Sequence, residues 1–299
     1  MAKNVPSFDV KKSGNSTDKV KRKVGKKREH GCDYSHPHVY VATPAYDGKV
    51  DCDFSQSLAE SAQAATVFGI YFTASVMGNG AFIDLARNMF VRIFLDENPD
   101  CTHLFFIDSD LKWQSSAFVN LILHCTEDRP VVSGAYRRRQ EPEEYPIVWT
   151  PEPELSKDGI DKLWLSDDGW LQCNRVATGF LCIRRNILEE MAKDSQKLIL
   201  HNVGPVPRLF YTALDDKGRF IGEDFCWCDD YIKRYKKPIE IWTDFDFVHA
   251  GLPGNYSKWL EKEIKKTVQK WDNMKNKTRL GDKRRPPVPE TPGANGSVA

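Results

Sequence analysis

The chain has 299 residues, 40% hydrophobic and 28% charged, which places it among soluble globular proteins with room for one large domain or two small ones. Collagen, coiled coil and bulk disorder are excluded. Its 43 Lys+Arg against 42 Asp+Glu look balanced, yet residues 1–30 hold ten basic and three acidic side chains, residues 258–285 hold eleven and four, and residues 31–257 are left at about minus twelve.

Residues 1–35 are basic and nearly devoid of branched apolar or aromatic side chains, so they are expected to be a disordered tail, and the segment from about Asn276 reads likewise. A single α/β domain over 36–257 and a basic helix and tail over 258–299 complete the expected organisation. Within the domain, HVYVAT (38–43) predicts a buried strand, followed by a helix over about 54–67 and a strand over 69–77. AFIDLARNMFVRIFLD (81–96) carries Phe82, Leu85, Met89 and Ile93 at helical spacing. THLFFIDSD (102–110) predicts a central strand, AFVNLILHC (117–125) a helix and VVSGAY (131–136) a strand. This alternation is the signature of a mixed central sheet with crossover helices.

The second half is less regular. RRRQEPEEYP (137–146) is expected to be a mobile charged loop; YPIVW, KLWL and WLQC predict short strands; VATGFLCIRR (176–185) predicts a strand leading into a helix. GEDFCWCDDYIKRY predicts a helix opening at Glu223, and IEIWTDFDFVHAG (239–251) a last strand with a short exit loop. The longest nearly apolar stretch, Ala64 to Gly78, is too short and too often interrupted to span a bilayer, and the basic N-terminus has no apolar segment behind it, so a cytoplasmic location is expected. The eight cysteines are scattered through apolar contexts and are expected to be reduced and mostly buried; Cys226 and Cys228 lack CxxC spacing.

Five features carry candidate chemistry. Four apolar residues, Leu104 to Ile107, run straight into Asp108, Ser109 and Asp110. In an open α/β sheet this delivers two carboxylates to the edge where ligands bind, and hard oxygen ligands there suit Mg2+ or Mn2+ bridged to a diphosphate, against the plainer reading of a solvated turn. His249 follows another strand-like run; it is either an ordinary hydrogen-bonded histidine or the imidazole that completes a metal shell begun by Asp110. Glu223 and Asp224 open a helix, where the dipole favours acids and lowers their pKa, but where a carboxylate is also well held to act as a base. Asp84, Arg87 and Asn88 project from an apolar helix: Asp84 and Arg87 are spaced for an intrahelical ion pair, and Arg87 equally for gripping phosphate. Gly179 in ATGF predicts a bulge or a close approach of ligand to backbone.

Taken in order, VATPAYDG, the LARN helix, the strand-borne DSD, ATGF, the GED helix and the terminal HAG resemble the GT-A fold glycosyltransferases over roughly residues 37–252. The resemblance implies a Rossmann-like domain that uses Mn2+ or Mg2+ and a nucleotide-sugar donor. It implies that Asp110 binds the metal, that Asp108 contacts metal or ribose, and that His249 is a further metal ligand. It also implies that Thr43, Pro44 and Tyr46 border the nucleotide, with Asp84 and Arg87 nearby and Gly179 under the donor sugar. Asp224, or failing it Glu223, would match the acceptor-activating acid of the inverting branch. Residues 137–146 and 197–220 match no family motif, which leaves the acceptor open between a glycan and a hydroxymethylated base in DNA.

Two other readings compete. A nucleotidyltransferase would need a Gly-rich basic loop after its first strand, whereas ATPAYDGK has one glycine and one lysine. A non-catalytic nucleic-acid-binding protein is suggested by the two basic ends, which would equally attract another anionic polymer or anionic lipid.

Overall fold

The computed structural model describes residues 33–78, 80, 82–149, 155–156, 159–160, 170–263 and 265–266. The expected basic tails, apart from residues 33–35 and the start of the 258–299 segment, and the KLWL strand lie outside the described residues. In chain order the first half runs β1 (His38–Ala45), α1 (Cys52–Val67), β2 (Tyr71–Gly78), α2 (Ile83–Glu97), β3 (His103–Ile107), β4 (Leu111–Trp113), α3 (Ser115–His124) and β5 (Val131–Gly134). Two more helices follow, α4 (Arg185–Asp194) and α5 (Glu223–Tyr235), with short strands before, between and after them.

Eight strands form a mixed central sheet in the order β2, β1, β3, Phe180–Arg184, β5, Ile239–Trp242, Leu171–Arg175, Val148–Trp149. β1 is parallel to both β2 and β3. The Phe180–Arg184 strand is antiparallel to β3 and β5, which therefore run in the same direction, and Ile239–Trp242 is parallel to β5. The carboxyl ends of β1, β3, β5 and Ile239–Trp242 thus share one edge, and the chain moves from β1 outward to β2 and then back across to β3, which makes that edge a topological switch point.

Strand periodicity splits the core in two. Val39, Val41, Phe105 and Ile107 face one side and Tyr40, Ala42, Leu104 and Phe106 the other, all buried. On the first side Phe105 stacks on Phe118 of α3 with centroids 5.1 Å apart, and Trp113 donates its indole N–H to Ser61 of α1. On the second, Phe90 and Phe94 of α2 pack with Phe106 and Tyr40, and Phe210, Trp227 and Tyr231 form a stacked column along α5.

Two expectations are corrected. The run 239–251 is two strands: Ile239–Trp242 ends in the main sheet, and Asp246–His249 enters a separate three-stranded sheet between Leu252–Asn255 and β4. The break at 243–245 is pinned from outside, by the Ser257 hydroxyl on Thr243 Oγ1 and the Ser257 N–H on the Thr243 carbonyl. The 137–146 loop is packed, because Arg137 and Tyr145 within it are buried: Arg137 donates to the Pro253 and Gln140 carbonyls and Tyr145 lies edge-on to Tyr256. Residues 197–220 form two small hairpins, anchored where the buried Asn88 side chain bonds the backbone of Leu209 and Phe210.

The described cysteines are free, and all but Cys52 are buried. Among the described residues no helix is long and apolar enough to cross a membrane.

Helix α2 ends at its C-cap, Asn98, whose side-chain amide donates to the Ile93 carbonyl at 3.1 Å, and the carbonyls that follow are met by one side chain from α4. Arg185, buried, donates to the carbonyls of Phe94, Leu95, Asn98 and Cys101 at 2.8 to 3.2 Å. Removing it strands several buried acceptors. Arg185→Ala is expected to lower unfolding free energy by about 3 kcal/mol in urea denaturation, with Arg185→Lys restoring less than half because an ammonium lacks the planar fork.

Candidate active site

Asp108 leaves the end of β3 at the switch-point edge. Its N–H donates to the Gly179 carbonyl, Leu111 N–H closes a turn back to the Asp108 carbonyl, and Asp51 N–H from the loop after β1 reaches the Ser109 carbonyl at 2.9 Å. The turn is therefore held from the neighbouring antiparallel strand on one side and from the β1 loop on the other.

Beneath it lies Arg87 of α2, with a side chain only 4% exposed. Its Nη2 meets Asp108 Oδ1 at 3.1 Å and its Nε meets Glu223 Oε1 at 3.4 Å, while Nη1 has no hydrogen-bond partner among the described residues. Burial works to depress the guanidinium, but Asp108, Glu223, Tyr136 and Asp224 outweigh it and raise its pKa. Arg87 thus pairs with acids from β3 and α5 rather than with Asp84, whose Oδ1 caps the Leu85 N–H in the first turn of α2.

The two acids at the start of α5 differ sharply. Glu223 is tied to Arg87. Asp224 carries no ion-pair partner among the described residues, and its Oδ1 accepts only the N–H of Phe225. Burial first, then the charge of Glu223, raise Asp224 from 3.8 to about 6, against the opposing pulls of the Phe225 N–H and Arg87. The lowered pKa expected from the helix dipole is overturned because desolvation of a single buried carboxylate outweighs one end of a helix.

On the other side of the turn stand Asp110 and His249. Register in the small sheet pairs His249 with Leu111, and Ala250 N–H donates to the Asp110 carbonyl, so the two side chains are brought together. His249 Nδ1 lies 2.7 Å from the Arg137 carbonyl, which fixes that nitrogen as the donor and leaves Nε2 with its lone pair. Nε2 is 3.5 Å from Asp110 Oδ1, a buried oxygen with no hydrogen-bond partner among the described residues. Arg139 bridges the pair, donating Nε to His249 Nε2 at 3.0 Å and Nη1 to Asp110 Oδ2 at 3.0 Å.

Gly179 is required by crowding: a Cβ there would lie 2.2 Å from the Tyr136 hydroxyl and 2.3 Å from Asp108 Oδ2. The close neighbours of this glycine are therefore protein groups, and its N–H donates to Tyr136 at 2.8 Å. Thr43 and Pro44 are buried at the end of β1, with Thr43 Oγ1 unpartnered, while the Tyr46 ring beyond them stands 77% exposed. A cleft of about 550 Å³ is lined by Tyr136, Arg139, Phe220, Asp224, Phe225 and His249, so the GED acid and the HAG histidine face one space.

Among the described residues no three His, Cys, Asp or Glu side chains converge as a ready metal cage. Asp108 is drawn toward Arg87, leaving Asp110 and His249 as the near pair. Their chemistry still fits a divalent cation, because two acceptors face each other with an orphaned carboxylate oxygen between them. Such ions commonly take one or two protein ligands and complete their shell with water and phosphate oxygens.

Tyr136, Arg137 and Arg139 are absent from the sequence-derived site. The signal was present, since VVSGAYRRR follows β5 over the same sheet edge as Asp108, and the rule that located one strand end applies to the other.

An ionised Asp224 is disfavoured in the folded chain, so the fold binds its proton more tightly than the unfolded chain and loses stability as pH rises from about 4 through 6. Asp224→Asn is expected to remove that loss. In metal-free urea denaturation the variant should match wild type near pH 4.5 and exceed it by roughly 2 kcal/mol at pH 7. An equal difference at both pH values would show that Asp224 is not held in its neutral form.

No family model matches the chain, and no curated protein matches it. Among solved structures, A197 from STIV is similar at 16% identity, covering 71% of this chain and 85% of that one, with a TM-score of 0.43. A glycosyltransferase involved in the glycosylation of the major capsid of PBCV-1 is similar at 10% identity over 52% of this chain, with a TM-score of 0.28; the chain spans 63% of that protein.

Proposed function

We propose that the chain is a glycosyltransferase that moves a sugar from a nucleoside diphosphate to an acceptor hydroxyl with inversion, using Mn2+ or Mg2+. The observation that carries this reading is the division of acids around Arg87. One carboxylate, Asp224, is half-buried, has no ion-pair partner among the described residues and is raised to about 6, and it shares a cleft with His249, whose Nε2 lies 3.5 Å from Asp110 Oδ1. A carboxylate raised in this way and facing a cleft is suited to exchanging a proton with a bound hydroxyl.

In this reading Thr43, Pro44 and Tyr46 border the nucleotide, the exposed Tyr46 ring offering a stacking face for the base. Asp110 and His249 would hold the cation, with Asp108 beside them. A bound cation would supply positive charge to the departing diphosphate. Arg87 keeps Asp108 and Glu223 in place from below, and its unpartnered Nη1 keeps positive charge under the same region. Asp84, with its carboxylate committed to the start of α2, serves that helix.

The bond from the sugar to the phosphate oxygen breaks, the bond from the sugar to the acceptor oxygen forms, and Asp224 takes the acceptor proton. A pKa near 6 suits this step: the group is mostly ionised at pH 7 and is more basic than an ordinary aspartate. Residues of the 137–146 loop and Phe220 of the Ala213–Ile221 hairpin line the cleft and would contact the acceptor.

A panel of nucleotide sugars incubated with Mn2+ or Mg2+, scored for sugar release to water or acceptor, tests the activity. Asp110→Ala is expected to abolish Mn2+-dependent nucleoside diphosphate binding in calorimetry while the fold survives, because the side chain packs against no apolar core. His249→Ala should raise the metal concentration needed for transfer and leave metal-free nucleotide affinity nearly intact.

Asp224→Asn should cut transfer about 10²-fold or more with donor binding within a few-fold. Glu223→Gln should retain transfer but move its acid limb to lower pH, because the charge of Glu223 is one of the forces raising Asp224. Loss of transfer in Glu223→Gln alone would reverse the two roles, and full transfer in both variants would remove the acid pair from the mechanism.

A further inference from the structure

Resting on the reading of Asp110 and His249 as the cation-holding pair, we infer that Arg139 is a built-in occupant of that position, and that it yields the position to the metal and then grips the diphosphate. Arg139 makes the two contacts a cation would make: Nη1 on Asp110 Oδ2 and Nε on His249 Nε2, each at 3.0 Å. Without a positive group there, a carboxylate oxygen and an imidazole lone pair would face each other at 3.5 Å with nothing between them. The guanidinium therefore stabilises the metal-free site and keeps both ligands turned inward.

The exposures of the three side chains show which group moves. Asp110 and His249 are 15% and 8% exposed, whereas the Arg139 side chain is 60% exposed. The ligands are held by sheet register and by the Arg137 carbonyl on His249 Nδ1. The loop backbone beneath Arg139 is held separately, through Arg137 on the Pro253 carbonyl, Arg138 N–H on the Glu144 carbonyl and the buried Tyr145. Only the Arg139 side chain is free to swing, and it does so without unfolding the loop.

A divalent cation and a guanidinium cannot share the same two ligands, so metal entry expels Arg139. The expelled fork stays tethered at the cleft wall it helps to line, beside the place where phosphate oxygens would complete the metal shell. Bidentate pairing with a phosphate is the arrangement a guanidinium is best suited to make. Metal alone must displace Arg139 into water, whereas metal with a diphosphate gives it a new partner. Donor and metal thus bind cooperatively through one side chain.

The test uses the full chain and two probes, Mn2+ alone followed by paramagnetic resonance, and inorganic pyrophosphate at saturating Mn2+ followed by calorimetry. Arg139→Gln is expected to bind Mn2+ alone about tenfold more tightly than wild type and the Mn2+-pyrophosphate pair about tenfold more weakly, with Arg139→Lys between the two. This opposite movement separates the inference from a structural role, which would weaken both. Asp110→Asn should lose Mn2+ in either background. Unchanged or weaker Mn2+ binding by Arg139→Gln overturns the inference and leaves the metal reading standing. Tighter Mn2+ with unchanged pyrophosphate binding overturns the phosphate-gripping half. Failure of wild type and Arg139→Gln alike to bind Mn2+ overturns the metal reading and this inference with it.

Discussion

A buried guanidinium has to be surrounded by negative charge, and Arg87 obtains that charge from two elements far apart in the sequence. Asp108 comes from the end of β3 and Glu223 from the start of α5. Removing either partner would leave the buried guanidinium with a single acid partner, a larger loss than that of a surface pair. The position of α5 on the sheet, the orientation of Asp108 and the depth of α2 are consequently one constraint. It extends further through Asp108 N–H to Gly179 and Gly179 N–H to Tyr136, which carries it from α2 across β3 and the neighbouring antiparallel strand to the end of β5.

Asp224 takes its character from where that pairing leaves it. Glu223 is committed to Arg87, and the next acid in the chain, with no ion-pair partner among the described residues, is pushed to about 6 by desolvation and by the charge of Glu223, against the pull of Arg87. Successive residues on one helical turn thereby acquire opposite states, one committed to an ion pair and one poised to exchange a proton. The fold bears a cost in stability for this at neutral pH, the usual relation between a site and the structure that holds it.

The second half of the site depends on a small sheet rather than on the large one. Had the chain continued straight through Thr243, His249 would extend the main sheet away from the DSD turn. The break there, pinned by Ser257, sends Asp246–His249 alongside β4 and brings an imidazole to Asp110. The loop of three arginines then closes over both, Arg137 setting the tautomer of the histidine and Arg139 bridging it to the carboxylate.

Local pattern was enough for the elements whose burial repeats along the chain. The alternation in HVYVAT and HLFFI fixed both the strands and the faces they bury, and the spacing of apolar residues in IDLARNMFVRIF fixed α2, because these periods follow from backbone geometry alone. The end of HLFFI marked where carboxylates would be delivered, so Asp108 and Asp110 stood out, and the GED pair stood out as acids opening a helix. What could not be read locally was the partner of each charge. Arg87 looked equally suited to Asp84, one turn away, and to phosphate, and only the packing of α2 under α5 chose Asp108 and Glu223. The run RRRQEPEEYP looked like solvated charge, and only burial against Pro253, Tyr256 and Trp259 made it a wall of the cleft. Secondary structure is decided by neighbours within a few residues, whereas pKa, ion pairing and the closing of a loop are decided by which distant groups share a desolvated space, and that is a property of the folded chain.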